Sequence, residues 1–137
     1  MLNNLDDIPL FREENNKKKS KKQEQSLAEN ILGSRRPASG AFKGQKGDVS
    51  SGLPQIFDDE GQPVYKPFLI ECKFTNDRSM SVKLDWIRKI EEEAASENKT
   101  PAINLLWQPK NELKSDFGYC NDWVAIPREV FERIFKK

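Results

Sequence analysis

Apolar residues recur at helical spacing in three parts of the chain. The first part is 21–33, where Gly33 is a typical helix stop. The same spacing predicts a second helix over 82–98, with Ser81 as its N-cap, and a third that opens at Pro127. The chain therefore carries three amphipathic helices, each with one face to bury.

Shorter apolar runs between the helices predict strands. Near-continuous runs at 68–73, 101–107 and 123–126 are typical of buried strands. A further strand begins at Asp48, and the acidic turn within 52–66 predicts a hairpin extension. Residues 34–47 lack an apolar run and are expected to form a loop. The order helix, hairpin, strand, helix, strand, strand, helix predicts an α/β/α sandwich around a mixed central sheet.

Composition limits this architecture to one domain. The chain has 137 residues, 36% of them hydrophobic, enough for a single modest core. Residues 1–20 are polar and repetitive, so we expect a flexible arm before a domain over 21–137. Since neither a membrane-length apolar run nor a secretion leader is apparent, we expect a cytosolic protein without membrane contact.

The chain contains no histidine, which excludes histidine triads, histidine bases and histidine zinc sites. Its two cysteines, Cys72 and Cys120, are expected to be reduced, because Cys72 lies within a predicted core strand. Any catalysis must therefore depend on carboxylates, lysine and a metal ion.

Two charges interrupt the apolar strand 68–73. Because strand side chains alternate between faces, Glu71 and Lys73 point one way while Ile70 and Cys72 point the other way. Two charges on a core strand cost several kcal/mol unless a partner or a metal compensates them. This cost indicates a functional site.

Asp48 is the second acid of this predicted site. It precedes Glu71 by 23 positions, enough for a strand, a turn and a return strand that place the two carboxylates side by side. A hard divalent cation such as Mg²⁺ relieves the repulsion between converging carboxylates. Lys73 beside that cation would orient a water or stabilise charge on a phosphoryl group, and this chemistry is phosphodiester hydrolysis.

Asp48 followed by Glu71-Cys72-Lys73 resembles the signature of the PD-(D/E)XK nuclease superfamily, with Gly47 in place of the motif's proline. The flanking strings extend this likeness; they are Arg35-Arg36-Pro37-Ala38-Ser39-Gly40-Ala41, Lys46-Gly47-Asp48-Val49, Glu71-Cys72-Lys73-Phe74-Thr75 and Ser79-Met80-Ser81. In this order they resemble the Holliday-junction-resolvase-like nucleases of phages and archaea, from about Glu24 to Ile126. The resemblance implies a restriction-endonuclease-like core.

The resemblance also implies a ligand set. Mg²⁺, for which Mn²⁺ would substitute, is expected on Asp48, Glu71 and the Cys72 carbonyl. Glu24 stands where related nucleases carry a helical glutamate, so it is expected to complete the catalytic set or hold a second ion. At 100° per residue Glu24 lies on the apolar stripe of its helix, whereas Glu29 lies about 140° away. The alternative is that Glu24 only complements the helix dipole.

Basic residues concentrate before the predicted site. Residues 17–46 contain nine lysines and arginines against two glutamates, as a phosphate-binding surface requires. The candidate DNA-binding residues are Arg35, Arg36, Ser39, Gly40, Lys43 and Lys46, with Arg78 and Ser79 before the second helix. The alternatives are a solvated surface for the first group and turn formation for the second.

These features together predict a Mg²⁺-dependent endonuclease that resolves Holliday junctions. A four-way junction is two-fold symmetric, so a homodimer in a prokaryotic or phage-infected cell is expected. Two alternatives stay open. One is a nicking, restriction or repair nuclease acting on other DNA structures, and the other is a noncatalytic DNA-binding module of the same fold.

Overall fold

The computed structural model of the chain describes residues 9–31, 33–36, 47–52, 57, 59–62, 66–112 and 114–135, with side chains from residue 18 onward. The helices there are α1 (Pro9–Asn30), α2 (Leu84–Ser96) and α3 (Arg128–Arg133). The strands are β1 (Ser34–Arg35), β2 (Val49–Ser50), β3 (Phe68–Thr75), β4 (Thr100–Trp107) and β5 (Asp122–Ala125). They form a five-stranded sheet in the order β1-β2-β3-β4-β5.

The sheet is mixed, because β3 and β4 are parallel while every other neighbouring pair is antiparallel. Helix α2 connects β3 to β4, as a parallel pair requires. The register runs from Phe68 opposite Thr100 to Thr75 opposite Trp107. The predicted α/β fold with a mixed sheet is therefore confirmed.

Side-chain alternation along β3 divides the core into two layers. On one face Ile70 packs with Val49, Ala102 and Ala28 of α1. On the other face Leu69 and Ile103 pack with Ile90 and Ala94 of α2. The two helices thus cover opposite faces of the sheet, and the predicted alternation of Ile70 and Cys72 against Glu71 and Lys73 is confirmed.

Helix α1 is longer than the sequence pattern predicted. It begins at Pro9, so the expectation of little structure over 1–20 is wrong for residues 9–20. Lysine, glutamate and arginine are good helix formers even without an apolar stripe, so this polar stretch continues the helix. The division into an arm and a domain stays a prediction.

Two further boundaries differ from prediction. Strand β1 lies inside the predicted loop 34–47; its two residues carry no apolar pattern and owe their strand geometry to pairing with β2. Helix α2 begins at Leu84 after Lys83, which makes no side-chain capping bond, so the prediction of Ser81 as N-cap is wrong. Trp86 and Ile87, in the first turn of the helix, pack against the core cluster on the face of the sheet that α2 covers. No helix in the described ranges is both long and apolar enough to cross a bilayer.

Candidate active site

Asp48 lies at the start of β2, between the backbones of β1 and β3. Its N–H donates to the Ile70 carbonyl at 2.9 Å, and its own carbonyl accepts from the Arg36 N–H at 2.7 Å. Its carboxylate atom Oδ2 accepts from the Cys72 N–H at 2.7 Å. A hydrogen bond from a backbone amide offsets part of the cost of burying this acid, which is 8% exposed.

Gly47 sets the direction from which the chain reaches Asp48. Its φ is +70°, and a Cβ atom there would lie 2.6 Å from Leu69 Cγ. Its N–H donates to Glu93 Oε2 on α2 at 2.9 Å. Proline has neither a positive φ nor an N–H, so this backbone cannot accept the proline of the family motif.

Glu71 and Lys73 project from β3 toward α2. Lys73 Nζ lies 3.6 Å from Glu71 Oε1. The same ammonium lies 4.6 Å from the centroid of the Trp86 ring, which belongs to α2. The lysine is thus held between a carboxylate and an aromatic face.

Glu24 approaches from α1 and is paired with a strand residue. Its Oε2 lies 3.3 Å from Arg35 Nε, and its side chain is 16% exposed. Glu29 is exposed on the same helix and accepts a hydrogen bond from Gln25 at 2.9 Å. The helix therefore presents Glu24, and not Glu29, to the sheet, as the helical angles predicted.

Electrostatics link the three acids. Burial raises the pKa of Glu24 to about 7, and the Asp48 carboxylate adds to this rise while Arg35 opposes it. Burial also raises the pKa of Glu71, again with a contribution from Asp48. Glu24 and Glu71 are thus harder to ionise because the Asp48 carboxylate is near. A bound cation would favour their ionised forms instead.

The donor chemistry of this cluster fits Mg²⁺. Carboxylates are its usual protein ligands, and the ion commonly takes only one or two while keeping several waters. The Cys72 carbonyl faces the same side of β3 as the Cys72 N–H that contacts Asp48, because both groups of a strand residue point to one neighbour. Among the described residues, no three acidic or thiol side chains converge closely enough to form a preassembled metal cage. Cys72 itself faces α1, and burial raises the pKa of its thiol.

A buried amide network beneath Lys73 was not predicted from the sequence. Gln23 Nε2 on α1 donates to the Lys73 carbonyl at 3.1 Å and to Asn104 Oδ1 at 2.7 Å. Asn104 Nδ2 donates onward to Asp122 Oδ1 at 2.5 Å and to the Trp123 carbonyl at 3.0 Å. Gln23 and Asn104 are 6% and 1% exposed. Asn104 is a polar residue within the apolar run of β4, and this is the one sequence signal of the network.

The two ends of segment 37–46 are both fixed to α2. Arg36 Nη2 lies 2.8 Å from Glu97 Oε1, and Lys99 Nζ lies 3.3 Å from the same atom. These hydrogen bonds lower the pKa of Glu97 although burial opposes them. At the other end Gly47 is bound by Glu93, one helical turn before Glu97. Neither glutamate was identified from the sequence.

The predicted DNA-binding residues fall into separate groups. Arg35 and Arg36 are engaged with Glu24 and Glu97, whereas Ser39, Gly40, Lys43 and Lys46 lie outside the described residues. Arg78 is exposed and paired with Glu112 at 3.0 Å. Ser79 is exposed but precedes α2 by several residues, so neither Arg78 nor Ser79 lies at the first turn of that helix.

Four of the predicted residues lie together at one site on the sheet, which we call the acidic rim. Glu24, Asp48, Glu71 and Lys73 interact across α1, β2 and β3. The predicted roles of these side chains in catalysis and metal binding stay predictions. Comparisons with protein-family models, with curated proteins and with solved structures gave no match for this chain.

Proposed function

We propose that the chain is a Mg²⁺-dependent DNA endonuclease of the PD-(D/E)XK type. The observation that carries the proposal is the acidic rim, in which burial and the Asp48 carboxylate raise the pKa of both Glu24 and Glu71 beside a lysine. Glu24, Asp48 and Glu71 repel one another when they are ionised, and a bound cation would offset that repulsion. The restriction-endonuclease-like core belongs to the same proposal.

Asp48, Glu71 and the Cys72 carbonyl would hold the metal. When bound, Mg²⁺ supplies Lewis-acid stabilisation of a phosphoryl oxygen and lowers the pKa of a bound water. Glu24 would position a second ion or the waters around the first. Mn²⁺, which accepts the same oxygen ligands, would substitute.

Lys73 supplies a positive charge beside the proposed metal site. Its ammonium is a compact donor that can orient the attacking water or contact a phosphate oxygen as negative charge develops there. The nearby Trp86 ring limits the directions in which this long side chain can turn. Lys73 therefore needs little reorganisation when DNA arrives.

Branched DNA, above all the four-way junction, is the proposed substrate. This choice rests on the resemblance of the motif strings to Holliday-junction resolvases and on the basic residues that precede the acidic rim. A homodimer would place one acidic rim on each of two symmetric strands. Nicking or repair of other DNA structures would use the same chemistry and stays the second candidate, and noncatalytic DNA binding is the third.

Cleavage of a labelled four-way junction beside a linear duplex, with and without Mg²⁺, tests the proposal. We expect Mg²⁺-dependent cutting that favours the junction, and its loss in Asp48→Asn, Glu71→Gln and Lys73→Ala with junction binding retained. Glu91→Gln, an exposed acid on α2, is the matched control and should cut normally. Duplex cutting of equal rate would favour the second candidate, and binding without cutting by the unchanged chain would favour the third.

A further inference from the structure

A small cavity lies at the carboxyl end of β3 and β4, separate from the acidic rim. Its volume is about 210 Å³. Its walls contain two tryptophans together with polar groups; the lining residues are Arg78, Trp107, Pro109, Glu112, Asn121 and Trp123.

Strand register places this cavity on the same face of the sheet as Lys73. Lys73 pairs with Leu105, and Leu105 pairs with Trp123, so these three residues form one row across the sheet. Thr75 and Trp107 form the next row on that face. With strands about 4.8 Å apart, the Trp123 backbone lies about 10 Å from that of Lys73. A strand of DNA advances about 3.4 Å per nucleotide along its axis, so about three nucleotides span this distance.

The cavity wall combines aromatic surface with hydrogen-bonding groups. Trp123 is 60% exposed on an edge strand, an unusual position for so large an aromatic side chain. Asn121 Nδ2 donates to the Glu112 carbonyl at 2.8 Å, and Glu112 also pairs with Arg78. These two interactions hold Arg78, Glu112 and Asn121 together as the polar wall of the cavity. A flat aromatic ligand with a polar edge matches both features.

We propose that the cavity binds an unpaired nucleobase of the DNA whose backbone crosses the acidic rim. This inference rests on the proposed nuclease function. The base stacks on the exposed face of Trp123, and its polar edge meets Asn121 and the exposed Arg78 guanidinium. Stacking on tryptophan tolerates any base, so the pocket selects unpaired DNA and not a sequence. Branched or opened DNA supplies such a base close to the cut, whereas continuous duplex does not.

Binding measurements without divalent metal test the pocket independently of cleavage. The probes are a short fluorescent oligothymidylate, an abasic oligomer of the same length and a duplex, each titrated with the full chain in EDTA. We expect oligothymidylate to bind more tightly than the abasic strand and to quench tryptophan emission. Trp123→Ala should weaken oligothymidylate binding by about tenfold and leave the abasic strand and duplex unchanged, since stacking is worth about one such factor per base.

Two variants provide the comparison. Trp123→Phe keeps an aromatic face and should retain most of the affinity, and Phe117→Ala, which removes another exposed ring, should bind like the unchanged chain. Equal affinity of the unchanged chain for the thymidylate and abasic strands, or no measurable binding to either, would overturn the pocket. The proposal would also be overturned if the unchanged chain formed a dimer that Trp123→Ala converts to a monomer, because a second copy of the chain would then occupy the cavity.

Failure of the pocket and failure of the nuclease are distinguishable. If the unchanged chain cuts no DNA in Mg²⁺ but binds oligothymidylate through Trp123, the nuclease proposal is wrong and the base pocket stands as a binding site. If the chain cuts junctions and Trp123→Ala changes neither binding nor quenching, the nuclease proposal stands and the pocket is wrong.

Discussion

Replacing Gln23 with leucine should destabilise the chain and slow cleavage, although Gln23 is not a ligand or a base in the proposed reaction. The substitution removes the amide that donates to the Lys73 carbonyl and to Asn104 Oδ1. Asn104 is 1% exposed, so its abandoned oxygen cannot turn to bulk water. Gln23 therefore fixes α1, which carries Glu24, to the strand that carries Lys73.

The magnitude follows from the two lost bonds. A buried acceptor left without a donor costs about 1–3 kcal/mol. The Lys73 carbonyl is only partly buried and adds less. Leucine recovers about 1 kcal/mol through its apolar burial, and it also removes the Gln23 Oε1 atom, which is buried without a hydrogen-bond partner. We expect a net loss of about 1 kcal/mol, or about 2–4 °C in melting temperature for a chain of this size.

Thermal unfolding followed by circular dichroism measures the stability loss, and single-turnover cleavage measures the rate. Gln25→Leu is the matched control, because Gln25 is exposed on the same helix and its amide contacts only Glu29 among the bonds described for it. A double-mutant cycle with Asn104→Leu should give a favourable interaction energy between the two amides. A melting temperature equal to that of Gln25→Leu, or additive effects in the cycle, would refute the reasoning.

Three further predictions address the acidic rim. Glu24→Gln should reduce the Mg²⁺-dependent cleavage rate by orders of magnitude and Glu29→Gln should leave it unchanged; the reverse order in a single-turnover assay would exclude Glu24 from the catalytic set. Because the pKa of Glu24 is raised from 4.5 to about 7 in the fold, its contribution to stability is fully present below pH 4.5 and is lost as pH rises through about 7. The metal-free melting temperature should therefore fall across that window, and less so in Glu24→Gln; parallel curves would contradict the shift. Trp86→Leu should slow cleavage by about 3–10-fold by removing the ring beside the Lys73 ammonium, and Trp86→Phe should restore much of the rate; equal rates for the two variants would exclude the ring as the cause.

Much of the fold could be predicted from local patterns because those patterns are dense in this chain. Strand β3 is a run of apolar residues with charges at alternate positions, so its two faces follow from side-chain alternation. The turn of Glu24 toward the sheet follows from helical angles in the same way. Both predictions use only neighbouring residues.

The remaining features depend on contacts between distant residues. Strand β1 has no apolar pattern, and α2 begins at Leu84 without a side-chain cap that the sequence could signal. The bonds from Gln23 to Asn104 and from Arg36 to Glu97 join residues that are 81 and 61 positions apart. Glutamine and glutamate on or beside a helix are ordinary surface residues by local criteria, so only the tertiary fold identifies the roles of Gln23 and Glu97.

Glu93 within α2 and Glu97 directly after it fix the two ends of one segment of the chain. Glu97 fixes Arg36 and Glu93 fixes Gly47, so the chain leaves and rejoins the sheet at two points set by a single helix. Once the ends of a segment are set, doubling its length adds only about 0.6 kcal/mol of closure entropy. The closure entropy of the chain between Arg36 and Gly47 is therefore a small part of the stability of the sheet. We expect insertion of glycine and serine between Gly40 and Lys43 to leave the melting temperature nearly constant, and under the proposed function such a change would alter substrate preference while the reaction is kept.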